Sequence, residues 1–422
     1  MKTFKIGTMI MVVIISVFPL ISLAQWTDVS PSAEGNIEIF DIHFINDSLG
    51  FAVGQDNSSQ TGYVFKTEDA GTTWNSQTFN NFHMRAVHFT DEHNGIIGGY
   101  DGPPGTRVKW LRTSDQGENW KVKNDNRYTG VNGLGFIDDK IGYSFGYGTS
   151  FGSSSGLMKT TDAGKTWDLQ SSMNGLFESM YFIDENLGFV AGWISGGGQI
   201  LKTEDGGKTL TPTSFSGKWV HDITFTDNQT GYAIDGLSSK QLVKTVDGGK
   251  TWNKIATLNA DVKELFFIGD TIAYVAGKGG SIYKSRNGGK NWSQELSSTT
   301  SYIRNLEVIG DYIYAVGSGG TVVRTEYAKD QPVGVHTHQT PQTTFSLYPN
   351  PVQNGTTFKL NGITEPSTIT IYNIQGKVCH KPTQISPDLE ISTMDLSLSP
   401  GLYIVELRSG AKVTGRRRLS IK

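Results

Sequence analysis

Seven recurring segments of the chain each carry one residue that could contact a ligand, and six of these seven residues are polar. Each stands two residues before an apolar position, and in chain order they are Phe40, Arg85, Asn132, Glu178, His221, Lys263 and Arg304. Two tryptophans, Trp193 and Trp219, come from neighbouring segments. A site that combines charged groups with aromatic rings is suited to binding a peptide or to stacking on a sugar ring. We therefore predict ligand binding by the six polar residues and both tryptophans; a hydrated funnel without a ligand is the alternative.

Four carboxylates in the same segments could instead hydrolyse a glycosidic bond. They are Asp41, Glu178, Asp222 and Glu264. Hydrolysis needs two carboxylates about 5–5.5 Å apart or about 6.5–9.5 Å apart, which the sequence does not fix. A glycoside hydrolase is therefore kept as an alternative, and no residue is assigned a catalytic role.

A repeated octapeptide accounts for a second set of acidic residues. Its clearest copies are Thr67–Trp74 and Thr245–Trp252, and six copies recur at steps of 40 to 47 residues. The third position is occupied by Asp69, Asp115, Asp162, Asp205, Asp247 and Asn287. Such a side chain can accept hydrogen bonds from its own turn, the glycine two residues later supplies a positive φ, and the closing Trp can pack on a neighbouring unit. Six near-copies cannot form one active site, so we interpret them as structural, not catalytic or metal-binding.

The elements that position these residues are short β-strands. Each octapeptide follows two alternating apolar strands and a third strand, and a fourth strand follows its Trp, which gives four strands per unit. Self-similarity at this period predicts an all-β, seven-bladed β-propeller over residues 25–328. Because the seventh octapeptide has lost its Trp, we predict that Gln25–Val29 pairs with Thr321–Arg324 and closes the ring. Rings of six or eight blades are alternatives.

The N-terminus and the composition indicate export. Residues 1–24 read as a signal peptide, with two lysines before an apolar run and a cut after Ala24; an uncleaved anchor is the alternative. After cleavage we expect no membrane span. A net charge of −3 gives no case for nucleic-acid binding. The single cysteine, Cys379, excludes an internal disulfide, and we expect it to be a buried free thiol.

Beyond the repeats the composition changes twice. Residues 329–344 are rich in Pro, Gln and Thr and read as a linker. His336 and His338 alternate there, but without an acidic or Cys partner nearby we predict no metal site, and we expect no cofactor. Residues 345–422 contain several alternating strands between Gly and Pro turns and predict a small β-sandwich.

Three families share these motifs. The octapeptide resembles the Asp-box, or bacterial neuraminidase repeat. The phrase Phe-x-Asp-x-x-x-Gly-Phe/Tyr-x-x-Gly, followed by Lys-Thr-x-Asp-Gly-Gly-Lys-Thr-Trp, recurs across about residues 26–327 and looks like the propellers of photosystem II assembly and stability factors. That resemblance implies a non-enzymatic propeller that holds a client protein. Leu347–Pro351, Gly401–Tyr403 and the terminal Lys422 resemble the type A C-terminal sorting domain of the type IX secretion system.

The resemblances together imply a function and a location. The sorting domain implies a Gram-negative bacterium, Sec export and contact with the type IX machinery through residues 345–422, leading to release or surface attachment. We expect a monomeric, secreted or cell-surface propeller that binds a protein or glycan partner at its channel mouth. A sialidase- or xyloglucanase-like hydrolase is the first alternative, although the Phe-Arg-Ile-Pro phrase of sialidases is missing. A mainly structural surface protein is the second.

Overall fold

A computed structural model describes most of the chain from Trp26 to Ile421. The described residues are 26–32, 35–101, 107–125, 130–147, 154–236, 240–268, 271–326, 346–348, 352, 355–361, 367–373, 378–385, 390–394, 396, 398, 401–409 and 412–421. The expected signal peptide, the expected linker, and His336 and His338 lie outside them. Within these ranges the protein is built of β-strands, with one turn of 3₁₀ helix at Lys278–Gly280.

Residues 26–326 form seven four-stranded units. The first strands are β2 (Ile37–Phe44), β6 (His83–Phe89), β10 (Gly133–Phe136), the second half of β13 (Asp168–Phe182), β17 (Val220–Phe225), β21 (Val262–Ile268) and β25 (Ile303–Ile309). The second strands are β3 (Gly50–Asp56), β7 (Gly95–Asp101), β11 (Gly142–Tyr147), β14 (Gly188–Ile194), β18 (Gly231–Asp235), β22 (Ile272–Gly277) and β26 (Tyr312–Gly317).

Two outer strands complete each unit. The third strands are β4 (Thr61–Thr67), β8 (Arg107–Thr113), β12 (Ser154–Thr160), β15 (Gly197–Thr203), β19 (Gln241–Thr245), β23 (Ile282–Ser285) and β27 (Val322–Glu326). The fourth strands are β5 (Asn75–Asn80), β9 (Lys121–Asp125), the first half of β13, β16 (Thr211–Pro212), β20 (Asn253–Thr257), β24 (Ser293–Gln294) and β1 (Thr27–Asp28). Neighbouring strands pair antiparallel, and β13 runs through two units, so the third and fourth units share one continuous sheet.

The predicted N-terminal closure is confirmed. Thr27 pairs with Arg324 and Asp28 with Val323, so the first strand of the chain completes the last unit. Trp26 is fully buried beside this pairing. The strand edge that the last unit would otherwise expose is therefore covered.

The apolar core lies between neighbouring units. Second strands are covered on both faces, which explains why β3 and β7 are buried at every residue. First strands alternate, because one side of each strand faces the channel. Phe44 of the first unit stacks on Tyr314 of the last, with ring centroids 4.3 Å apart, and belongs to one core with Val316. Side chains of the first and last units thus share one core, which closes the ring.

The C-terminal part has two sheets over one core. One sheet has the order β28 (Ser346–Tyr348), β29 (Thr357–Asn361) and β32 (Glu390–Ser392). The other has the order β31 (Val378–Ile385), β30 (Ser367–Asn373), β33 (Gly401–Ser409) and β34 (Lys412–Ile421). Phe358 and Ile391 of the first sheet share a core with Ile371 and Val405 of the second. Cys379 was expected to be buried; it is half-buried at the edge of this core, so that expectation was wrong.

No helix in the described ranges is long and apolar enough to cross a membrane.

Candidate binding site at the channel mouth

Six first strands contain a β-bulge at the recurring position, and five of these six residues were predicted to bind a ligand; the sixth is Phe40. In the first unit Ile39 pairs with Gly54 and Asp41 pairs with Val53, so Phe40 is the extra residue. The same shift occurs at Arg85, Glu178, His221, Lys263 and Arg304. The alternation of side chains along these strands is therefore interrupted at this position. A bulge re-aims the side chain that it carries and bends the strand.

The third unit places Asn132 in the equivalent position. Its N–H donates to the Phe145 carbonyl at 2.8 Å just before β10 begins, and Gly133 pairs with the same residue. All seven residues thus lie where first strands begin and second strands end, an end called the channel mouth below. Trp193 in β14 and Trp219 just before β17 lie at the same end. His221 is buried, and the other five bulge residues and Asn132 are half-buried.

Rings and guanidinium groups from units seven, one and two form a stack. The guanidinium carbons of Arg85 and Arg304 lie 3.8 Å and 4.8 Å from the centroid of the Phe40 ring. Arg85 Nη2 donates to the Tyr100 hydroxyl at 2.6 Å, and Arg304 Nη2 donates to Glu38 Oε1 at 3.0 Å. These cation–π and charge-assisted contacts hold both guanidinium groups in place. Phe40, the one apolar residue among the seven recurring positions, contacts both guanidinium groups, a role that the sequence pattern does not show.

Units four, five and six carry a tryptophan pair beside an ion pair. The rings of Trp193 and Trp219 have centroids 6.1 Å apart and planes 27° apart. Lys263 Nζ lies 4.0 Å from Glu178 Oε2. Burial raises the pKa of Glu178, while Lys263 and the Trp219 indole N–H lower it; that N–H lies near the carboxylate without reaching good hydrogen-bond geometry. Burial lowers the pKa of His221 to about 4, so its ring is neutral at pH 7.

The residue after the bulge joins neighbouring units at Asp41. Its carboxylate accepts the N–H of Val87 in the next unit at 2.8 Å and the side-chain amide of Asn305 in the preceding unit at 2.9 Å. It also accepts the N–H of Ile42 at 2.9 Å. Burial raises the pKa of Asp41 to about 7, against the lowering effect of the two backbone donors. Asp41 is thus a half-buried link between three units.

Asp222 repeats this arrangement in the fifth unit. It accepts the N–H of Leu265 in the next unit at 2.8 Å and the hydroxyl of Ser179 in the preceding unit at 2.7 Å. Burial raises its pKa to about 6. Burial, and then the neighbouring Asp222, raises the pKa of Glu264 well above its usual value. Two of the four candidate hydrolase carboxylates therefore hold the ring together, and the shared phrase Asp-Ile-x-Phe at Asp41 and Asp222 is the sequence signal for it.

The octapeptides close tight hairpins at the opposite end of each unit. Asp69 Oδ1 accepts the N–H of Thr73 at 2.8 Å and the hydroxyl of Thr67 at 2.9 Å. The Thr67 hydroxyl oxygen in turn accepts the N–H of Gly71 at 2.7 Å, where φ is 82°. The same three bonds are made around Asp115, Asp162, Asp205, Asp247 and Asn287. The buried hydroxyl at the first position is a functional part of the hairpin that sequence reasoning missed, although Thr or Ser stands there in every copy.

Each hairpin is fastened to the turn between the first and second strands. In the first unit the N–H of Ala70 donates to the Ser48 carbonyl at 2.9 Å. That turn lies at the end of β2 remote from its bulge. The octapeptides and the channel mouth are therefore at opposite ends of the units.

A polar cleft of about 250 Å³ lies at the octapeptide end, between the first two units. Lys66, Glu68, Gln77 and Glu118 line it, and the Lys66 ammonium pairs with both glutamates. The carboxylates are well exposed, so their ion pairs with Lys66 are weak and screened by solvent. This cleft competes with the mouth as a ligand site, but none of its lining residues is aromatic. Among described residues no group of three His, Cys, Asp or Glu side chains is arranged to hold a metal ion.

Comparison with known families and relatives agrees with a two-part chain. Residues 346–422 match the family described as "Secretion system C-terminal sorting domain". The match indicates sorting by a type IX secretion system to the cell surface or the extracellular space. The chain is 22% identical over 335 residues to the chloroplastic photosystem II stability/assembly factor HCF136 of Arabidopsis thaliana, covering 62% of this chain and 79% of that protein.

Solved structures with the same fold are propellers. One described as "YCF48 bound to D1 peptide" has a TM-score of 0.58 at 17% identity and covers 74% of this chain and 99% of its own. YCF48 from Cyanidioschyzon merolae has a TM-score of 0.57 at 18% identity, covering 71% and 98%. The WD40 β-propeller domain of Doa1 has a TM-score of 0.54 at 12% identity, covering 72% and 96%. Residues 26–326 therefore form a β-propeller.

Proposed function

We propose that this protein is an exported, non-enzymatic propeller that holds a segment of a partner protein across its channel mouth. The observation that carries the proposal is the pair of guanidinium groups stacked on Phe40. Both side chains are half-buried at the mouth, and bonds to Tyr100 and Glu38 hold their guanidinium groups in place. Carbonyl or carboxylate oxygens of a bound segment would accept charge-assisted hydrogen bonds from these fixed guanidinium groups.

A protein segment is a better match to this site than a glycan. One propeller of the same fold is described as bound to a peptide, which makes a peptide the first ligand to test. The client of that propeller is not carried over, because a secreted or surface protein has no photosystem to assemble. The mouth also combines fixed cations with aromatic rings, and this mixture suits an extended chain that presents both oxygen acceptors and apolar side chains.

A glycoside hydrolase is the weaker alternative. Two of its four candidate carboxylates, Asp41 and Asp222, accept backbone N–H groups of neighbouring units. Moving either one to meet a sugar would break contacts that join the ring. Glu178 and Glu264 are left as a possible acid and base. Turnover of aryl-glycosides that disappears in Glu178→Gln would establish the hydrolase and remove the present proposal.

The test is capture of peptides by the mature full-length chain. A library of random peptides is selected on the immobilised protein, and affinities of the selected peptides are measured for Arg85→Gln and Arg304→Gln. Each substitution removes a charge-assisted contact, so we expect about a tenfold loss of affinity. Glu118→Gln in the polar cleft is the matched control and should bind normally. Equal losses in the control, or no selected peptide, would contradict the proposal.

Export is proposed to use the Sec signal and the sorting domain in sequence. We propose that residues 1–24 are removed in the periplasm and that residues 345–422 direct passage across the outer membrane of a Gram-negative cell. A chain truncated after Thr344 should then accumulate in the periplasm with a folded propeller. Normal surface delivery of that truncated chain would refute the sorting role.

A further inference from the structure

Trp193 and Trp219 form a stacked pair, called the plate below, and hydrogen bonds hold the backbone of the loop that carries Trp219. The N–H of Gly198 donates to the Gly217 carbonyl at 3.1 Å, and the N–H of Gly217 donates back to the Gly198 carbonyl at 2.9 Å. This pair of bonds ties the loop before β17 to the third strand of the fourth unit. A Cβ on Gly198 would lie 2.7 Å from the Trp219 nitrogen, so only glycine permits this approach.

A buried carboxylate holds the same loop from within the fifth unit. Asp235 Oδ1 accepts the N–H of Lys218 at 2.8 Å and of Trp219 at 3.0 Å, and Asp235 is only 5% exposed. The loop that carries Trp219 is thus held by bonds from two units. Binding to a plate that is already ordered loses little conformational entropy.

The surroundings of the plate select against ions and sugars. The backbone N–H groups of Lys218 and Trp219 already donate to Asp235, and those of Gly198 and Gly217 donate to each other's carbonyls. A sugar ring needs accessible hydrogen-bonding groups beside its stacking face. These backbone donors are already bonded, and the Trp219 indole N–H and His221 Nδ1, which have no partner among the described residues, are buried. Glu178 and Lys263 balance each other's charge, so an incoming ionic side chain would have to disrupt their pair. A neutral ring with little hydrogen-bonding demand matches this environment.

We propose that the Trp193–Trp219 plate anchors one apolar ring side chain, Phe, Tyr, Trp or Pro, of the partner protein. The inference rests on the proposed function and deepens it. Phe40, Arg85 and Arg304 hold the oxygen acceptors of the segment, and the plate holds its ring, so the mouth recognises a two-part motif. Stacking on an ordered Trp gains both buried apolar area and a favourable ring geometry.

The experiment is a double-mutant cycle on the mature full-length chain. Peptides selected on the wild-type protein are aligned, and the position with enriched ring residues is replaced by Ala. Binding is measured for wild type, Trp193→Ala and Trp193→Phe with both forms of the peptide. We expect about a tenfold loss for Trp193→Ala, which corresponds to about 1.4 kcal/mol, and a smaller loss for Trp193→Phe. The ring-less peptide should bind wild type and Trp193→Ala equally, because the contact is already lost.

The outcomes separate this inference from the proposed function. Selected peptides whose affinity is unchanged in Trp193→Ala would overturn the plate while leaving peptide binding intact. Failure to select any peptide would overturn the proposed function. Oligosaccharides that bind only when Trp193 is present would overturn the ring side chain as the ligand. Val246→Ala, in the octapeptide hairpin at the end opposite the mouth and 64% exposed, controls for handling, and thermal melting of every variant checks that the propeller is folded.

Discussion

Replacing Trp26 by Ala tests whether the N-terminal strand closes the ring. Trp26 is fully buried, its ring lies 6.3 Å from that of Tyr274 at 82°, and it shares a core with Ile282, Ile303 and Val323. Truncating a buried Trp to Ala costs about 3–5 kcal/mol. The indole Nε1 has no partner among described groups, and its loss recovers part of that cost. We therefore expect a net destabilisation of about 3 kcal/mol.

The loss should be visible in melting and in local exchange. An unfolding entropy of about 2.1 cal/mol/K per residue over about 300 residues converts about 3 kcal/mol into a Tm decrease of about 5 °C. Hydrogen exchange should accelerate in peptides that cover Val322–Glu326, which pairs with β1. Trp26→Phe, which keeps a ring and removes the unpartnered N–H, should lose less than half as much. A Tm within 1 °C of wild type, or unchanged exchange in β27, would refute closure by this strand.

Three further predictions concern pH and the hairpins. Burial raises the pKa of Asp41 to about 7 and of Asp222 to about 6, so the folded state binds protons more tightly than the unfolded state. The stability of the protein should therefore fall as pH rises from about 4 through 7. Replacing both residues, Asp41→Asn with Asp222→Asn, should flatten that part of a Tm–pH profile. Hydrogen bonds from Thr73 lower the pKa of Asp69, and those from Thr251 hold the pKa of Asp247 at about 2, so the stability that these carboxylates give the hairpins should be lost as pH falls below about 4. Asp247→Ala should lower the Tm at pH 7. Asp247→Asn should melt near wild type, because Asn287 makes the same bond at 2.9 Å. Thr245→Val leaves the N–H of Gly249 buried without its acceptor and should cost about 1–3 kcal/mol in denaturant unfolding, while Thr245→Ser should cost little.

Much of the fold follows from repetition in the sequence. An octapeptide that recurs with two apolar strands before it can form the same hairpin each time, so strand order and ring closure were predictable from Thr67–Trp74 and its copies. The orphan Trp26 showed where the last strand had to come from. These inferences succeed because they depend on local turn chemistry and on burial, both of which leave a pattern in the residue types.

The site was less predictable because it depends on bulges and on contacts between distant residues. A bulge shifts the register by one residue, and the residue types at Phe40 and Arg85 do not indicate that a bulge forms there. The stack that joins Arg304 to Phe40 spans more than 260 residues, as does the Arg304 bond to Glu38. The sequence also offered Asp41 as a hydrolytic carboxylate, although its main bonds are to neighbouring units. Residue type names the possible chemistry, whereas the partner of each group depends on the folded ring.

The short strand β1 has a consequence for how the propeller is assembled and cut. Because β1 is translated first and its partner β27 comes nearly 300 residues later, the seam can be sealed only after the whole propeller sequence has emerged. Loss of either strand opens the same seam, since a fragment without Thr27–Asp28 exposes the edge of β27 and a fragment without β27 leaves β1 without its pairing partner. Trimming either terminus of the propeller therefore disrupts the same β1–β27 pairing and destabilises the other terminus.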